Sequence, residues 1–230
     1  MKISFEGRKS PLVVDPGCPA VFQIEPPGLF ARVVESLFSC EGRCASEKYT
    51  VWKLAGDDWE ECSPKNSFLF ASNVFDLPWS SRDLSGEILK RIESDFIADE
   101  EFRFQFEELE RRISARVMSL SDPYSADYSL SIEWDMAKLL KMLGFGIGPE
   151  PGVKLIDNLI SFLSLALDFR LEKAIIFVNL KTFLTRNEIQ RLYEHCFFTK
   201  RKVILLENKR DDNEYEYERK TVIDLDFLEY

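Results

Sequence analysis

The segment Ala174-Ile175-Ile176-Phe177-Val178, followed by Thr185-Arg186-Asn187-Glu188 and then by Lys202-Val203-Ile204-Leu205-Leu206, decides the fold. Apolar runs this short and this continuous are the mark of strands buried on both faces of a parallel sheet. Between them Thr185 and Glu188 have the spacing of a capping box, and Leu184 and Ile189 can form its hydrophobic staple. The helix they open carries Ile189, Leu192, Tyr193 and Cys196 on one face. Strand, helix and strand in that order make a right-handed crossover unit, so the fold class is α/β.

Outward from this unit, Asp211–Glu218 reads as a polar, acidic loop and Thr221–Phe227 as a last strand. Toward the N-terminus, Lys2–Glu6, Ala20–Glu25, Tyr49–Leu54 and Ser67–Ala71 are short strand candidates. Leu29, Val33 and Leu37 fall at helical spacing after the break Pro26-Pro27-Gly28. From about Ser80 the period changes from two to three and a half. Leu84, Ile88, Ile92 and Phe96 form one stripe; Phe102, Phe106, Leu109, Ile113, Val117 and Leu120 form a second, coiled-coil-like one. Trp134–Leu143 reads as a short helix and Val153–Leu167 as another. The expected organisation is therefore an α/β head of residues 1–79 and 169–230, with an α-helical leg of residues 80–168 inserted into it.

Composition sets limits. With 45% apolar, 13% aromatic and 30% charged residues, a chain of 230 residues builds a sizeable core. No apolar run approaches a membrane span, and Met1–Lys9 has none of the apolar run a secretory leader needs, so a cytoplasmic, membrane-free protein is expected. Five cysteines at irregular spacing suit free thiols in a reducing compartment, and Cys40 and Cys44 lack the second pair that a zinc site requires. The formal charge of −10 argues against nucleic acid as a partner. The charge is unevenly spread, however: residues 170–206 hold eight basic residues against three acidic ones, and residues 207–230 nine acidic against four basic.

Several kinds of chemistry are unsupported. The turn Glu25-Pro26-Pro27-Gly28-Leu29-Phe30 lacks the glycines and lysine of a phosphate-binding loop, and its two prolines remove amide donors. His195 and Cys196 are neighbours on a helix and do not face each other, so no nucleophile–base pair is assigned and no enzymatic activity is expected. The acidic residues Asp122, Asp127, Glu133 and Asp135 lie in a polar stretch between helices, where oxygens can converge on a hard cation such as calcium. Lys181, Arg186, Lys200, Arg201 and Lys202, with Lys138 and Lys141 in the helical part, are the candidates for polyanion contact.

The run Ile175-Ile176-Phe177-Val178-Asn179-Leu180-Lys181-Thr182-Phe183-Leu184-Thr185, with Glu188, Leu192-Tyr193 and Val203–Glu207, resembles the CRISPR-associated adaptation proteins of subtype II-A systems, the Csn-two family. Met1–Phe5, Phe22–Glu25, Leu29–Val34, Ile132–Asp135, Leu139–Lys141 and Ile223–Asp226 are similar to the same family in the same order. The resemblance implies a head related to P-loop ATPases but without a working nucleotide site, plus a helical leg. It implies a homotetrameric ring that holds double-stranded DNA, often at its ends, with Ca2+ supporting the ring through the stretch containing Glu133 and Asp135. It further implies a part in spacer acquisition for antiviral defence, beside the Cas integrase complex and the effector nuclease. A protein–protein scaffold with only weak DNA contact is the alternative reading, and a nucleotide hydrolase the third.

Overall fold

Parallel strands need both faces covered, and the apolar runs of this chain obtain that cover from two different layers. The computed structural model describes residues 1–121 and 136–230. The chain divides into one unit of Met1–Trp79 with Pro149–Tyr230 and a second of Ser80–Gly148. In chain order the first unit contains β1 (Lys2–Phe5), β2 (Leu12–Val13), β3 (Ala20–Ile24), α1 (Pro27–Ser39), β4 (Tyr49–Ala55), β5 (Asp58–Cys62) and β6 (Phe68–Ala71). The second holds α2 (Arg82–Ala98), α3 (Glu100–Ser121) and α4 (Met136–Met142); α5 (Leu155–Asp168), β7 (Ala174–Val178), α6 (Arg186–Thr199), β8 (Val203–Glu207) and β9 (Arg219–Ile223) return to the first.

Five strands form a parallel sheet of order β6-β7-β8-β3-β9. The unit β7–α6–β8 is its centre, with Ile176 opposite Ile204. An antiparallel sheet, β2-β1-β4-β5, lies alongside. One core joins the two: Ala20, Phe22, Ile24, Ile176, Ile204 and Leu206 meet Ile3, Phe5, Tyr49 and Val51, with Val33 and Leu37 of α1 closing the layer. Residues of the other parity, Val21, Ile175, Phe177 and Leu205, are equally buried, as the continuous apolar runs require. α5 and α6 pack on each other and bury Leu159, Phe162, Leu163, Leu192 and Tyr193.

The capping box forms: Thr185 Oγ1 accepts from the Glu188 amide at 3.4 Å, and the Thr185 amide donates to Glu188 at 2.8 Å. Besides the two-residue β2, which the sequence reading does not mark, three elements differ from it. β5 (Trp59-Glu60-Glu61) is exposed along nearly its whole length, so it carries no apolar alternation to betray it. β9 ends at Ile223, because Asp224 turns the chain back by accepting from the Asp226 and Leu228 amides. Finally, α5 belongs to the larger unit, so the leg expected over residues 80–168 ends structurally at Gly148. Ile156, Leu159, Phe162, Leu163 and Ala166 are almost wholly buried there, and the Phe162 ring meets Trp79 edge-on at 5.2 Å.

In the second unit, Asp99 caps α3 by accepting from the Phe102 amide at 2.9 Å. Phe96 of α2 contacts the rings of Phe102 and Phe106. Further along α3, Leu109, Ile113 and Leu120 are 49%, 53% and 63% exposed.

Candidate nucleic-acid interface

Because β7 and β8 run parallel, residues after the end of β7 and residues before the start of β8 stand at opposite edges of the sheet. The basic candidates therefore separate. Lys181 and Arg186 follow the C-terminal end of β7, whereas Lys200, Arg201 and Lys202 precede β8. Lys138 and Lys141 are exposed in the second unit. Arg186 is exposed beside the Tyr215 ring.

At the N-terminal edge of the sheet the β4–β5 hairpin and the ends of α5 and α6 enclose a cavity of about 790 Å3. Its walls include Lys53, Arg170, Lys173, Lys200, Arg201 and Lys202, against the two acids Asp15 and Glu172. Asp15 is already paired, 2.8 Å from Arg219. Among the described residues, none of Lys53, Arg170, Lys200, Arg201 and Lys202 has a carboxylate within ion-pair distance. Burial, and then repulsion from Lys53, lowers the pKa of the Lys202 ammonium; burial lowers that of the Arg201 guanidinium. Arg170 and Lys173 belong to the basic stretch 170–206 marked in the sequence, whereas Lys53 is not singled out there, because it comes from β4, far away along the chain.

Lys181 has a different environment. The connection from β8 to β9 is a crossover with no helix, and residues 208–218 are held by charges instead. Lys181 Nζ lies 3.1 Å from Asp211 and 2.9 Å from Glu218, and is almost fully buried. Glu218 also accepts from the Tyr193 hydroxyl, while Asp211 accepts from Lys220 and from the Gln23 amide. The acidic loop is thus in large part a counterion for two lysines. Arg201 is likewise buried and donates to the Leu171 carbonyl at 2.7 Å.

Glu207 ends β8 in the same network, 3% exposed, accepting from the Lys181 amide at 3.0 Å. Burial pushes its carboxyl from the ordinary 4.5 up to about 7, against the pull of the Lys181 amide and ammonium. Between pH 4.5 and 7 the folded protein keeps a proton that the unfolded chain releases, so this group makes stability fall as pH rises. The fall amounts to about 3 kcal/mol at ~1.4 kcal/mol per pH unit. In urea titrations at pH 4.5, 6 and 7.5, Glu207→Gln is expected to remove that fall; a difference from wild type that is constant across pH would refute it.

The other candidates are quickly placed. The Cys196 thiol is fully buried, which pushes it up to about 12, and His195 faces Ser164 at 3.4 Å. The five cysteines are free thiols. Asp122, Asp127, Glu133 and Asp135 lie outside the described residues, and among the described ones no group of three or more His, Cys, Asp or Glu is placed to hold a metal ion. In the turn after β3, the Glu25 amide is spent on the Ile223 carbonyl, and α1 starts from Pro26 with no side-chain cap. No helix among the described residues is long and apolar enough to cross a membrane.

The crystal structure of Stu0660 of Streptococcus thermophilus is similar to this chain at a TM-score of 0.57 and 13% identity, covering 97% of this chain and 75% of that one. At that identity the likeness is one of fold: mixed α/β with a parallel sheet. No curated protein matches the chain. The family model described as CRISPR-associated protein (Cas_Csn2) matches residues 53–227, most of the chain, and the protein therefore belongs to that family of CRISPR-associated proteins.

Proposed function

We propose that the protein binds double-stranded DNA without sequence preference, and at its ends, as a calcium-stabilised homotetrameric ring in the bacterial cytoplasm. In this reading it supports spacer acquisition beside the Cas integrase complex and the effector nuclease, and catalyses no reaction itself. Membership of the family supplies the CRISPR-associated role. The observation that carries DNA binding is the cavity at the N-terminal sheet edge, where Lys53, Arg170, Lys200, Arg201 and Lys202 have no carboxylate within ion-pair distance among the described residues. Phosphates displace counterions from such a surface, which makes affinity strongly salt-dependent and blind to sequence. The proline-containing turn after β3 supports a P-loop-like head that has lost its nucleotide. Calcium rests on the family resemblance together with Asp122, Asp127, Glu133 and Asp135.

Gel retardation tests this with linear and closed circular duplexes, each in calcium and in chelator. Linear DNA in calcium is expected to bind most tightly, since a ring threads ends. Equal retention of linear and circular DNA counts against the ring, and no retardation in any condition ends the proposal. The exposed Leu109, Ile113 and Leu120 of α3 favour a second reading, a scaffold that docks protein partners on that face. Under it, retardation stays weak at every salt concentration.

A further inference from the structure

Beside its basic rim, the cavity of the N-terminal sheet edge has the size of a small-ligand pocket, about 790 Å3 where ~300–1,000 Å3 is usual. Two features of its walls hold cations there at a cost to the fold. The first is local backbone strain. α5 and α6 both end in a left-handed residue, Arg170 at φ 53° and Lys200 at φ 55°. Around each, the amides close the two bonds of a Schellman motif or its longer arm: Arg170 to Leu167 and Leu171 to Ala166 on α5, and Arg201 to Cys196 on α6. Glycine is the usual residue at that position, because a Cβ is unfavourable in the left-handed region. Here both positions carry cations, and both cations line the cavity.

The second feature is Arg201. It is 7% exposed, it donates through Nη2 to Leu171, and its Nε has no partner. A buried guanidinium with an unmet donor and, among the described residues, no carboxylate within ion-pair distance is costly. The two converging helix C-termini offset part of this charge, but they supply only about half a negative charge each. Leaving Lys173 aside, the five cations Lys53, Arg170, Lys200, Arg201 and Lys202 against Glu172 and an already paired Asp15 still leave a positive surplus.

We propose that this cavity is a pocket for a terminal phosphate group, a phosphate monoester dianion, held by Arg170, Lys200, Arg201 and Lys202. The dianion is either the 5′-phosphate of a DNA strand end or the end of a small phosphorylated compound; the first source rests on the DNA-binding reading above. A monoester suits the site better than a diester because it brings a second charge and three free oxygens to a fork of donors. The exposed Trp59 ring stands at the cavity wall, with Lys2 3.9 Å from its centroid, so an aromatic surface adjoins the cationic one.

The test is the double variant Arg170→Gly/Lys200→Gly. Glycine relieves the left-handed strain, so the variant is expected to melt no lower than wild type while losing two of the pocket's cations. Its binding is measured to a duplex with 5′-phosphate ends and to the same duplex with 5′-hydroxyl ends. Inorganic pyrophosphate is titrated separately by calorimetry. A preference of wild type for phosphorylated ends that falls about tenfold in the variant, the equivalent of one good charge-assisted contact, supports the pocket and assigns it to DNA ends. No end preference, but pyrophosphate binding that the variant loses, supports the pocket and assigns it to a small compound. No end preference and no pyrophosphate binding overturns the inference, while equal retention of both duplexes leaves the DNA-binding reading standing. Failure of both duplexes to bind counts against that reading alone, and pyrophosphate then decides the pocket.

Discussion

Replacing Lys181 with alanine is expected to destabilise the larger unit by about 3–5 kcal/mol, the usual cost of removing one partner from a buried ion pair. The size follows from what is left behind. Lys181 is bonded to Asp211 and to Glu218, whose side chain is only 5% exposed. Without the ammonium, Glu218 keeps the Tyr193 hydroxyl at 3.1 Å and Lys220 at 3.4 Å, and Asp211 keeps Lys220, so one lysine must serve two carboxylates beside Glu207. A loss of that size lowers the melting temperature by roughly 10 °C in a unit of this length. Urea unfolding at pH 7 gives the free energy directly. Restoring neutrality in Lys181→Met/Glu218→Gln is expected to recover part of the loss, because an uncharged pair of similar volume leaves no orphaned charge. A loss below 1 kcal/mol in the single variant would mean that the ion pair is open to solvent.

The second large effect concerns the basic cavity. The triple variant Lys53→Ala/Lys173→Ala/Lys202→Ala is expected to bind linear duplex far more weakly at low salt and nearly as well as wild type at high salt. Each phosphate contact contributes about 0.9 to the slope of log affinity against log salt, so three lost contacts flatten it by about 2.7. Referred to 1 M salt, that corresponds to a loss on the order of a thousandfold at 50 mM. The three side chains are half-buried and in no ion pair with Asp211 or Glu218, so the fold is expected to survive their truncation. Fluorescence anisotropy between 50 and 300 mM salt measures the slope. An unchanged slope would show that DNA is held elsewhere, with Lys138 and Lys141 of the second unit the next to be examined.

What the sequence discloses and what it conceals divide along one line: the range over which residues must be compared. β7, α6 and β8 are legible because each announces itself within five to eight neighbouring residues, as an apolar run or as Thr185 with Glu188. β5 is not, since its strand is held by pairing with β4 alone and carries no buried face. The end of the leg is misread for a similar reason. Val153–Leu167 is an amphipathic helix in either unit, and only the apolar layer it meets decides which. The candidate site shows the difference most clearly. Lys200, Arg201 and Lys202 are found as a run, but their partners Lys53, Arg170 and Lys173 come from β4–β5 and from the end of α5. Lys181 looks like its neighbours in sequence and is nonetheless a buried counterion, because Asp211 and Glu218 reach it across thirty residues of chain and more. Charge type is local; charge pairing is not.

The strand order has a consequence for synthesis. β3 pairs on one side with β8 and on the other with β9, Val21 facing Leu205 and Lys220. A chain leaving the ribosome N-terminus first therefore exposes β3 with both edges open until β8 and β9 have emerged. β6 waits as well, because its pairing partner is β7. The hairpin sheet can assemble early, as β1, β2, β4 and β5 all lie within the first 62 residues, and it offers Ile3, Phe5, Tyr49 and Val51 as a surface against which Phe22 and Ile24 can shelter. Such an early platform shields an unpaired apolar strand that would otherwise invite aggregation. On this view the small antiparallel sheet acts during translation as a resident chaperone for the strand that waits longest.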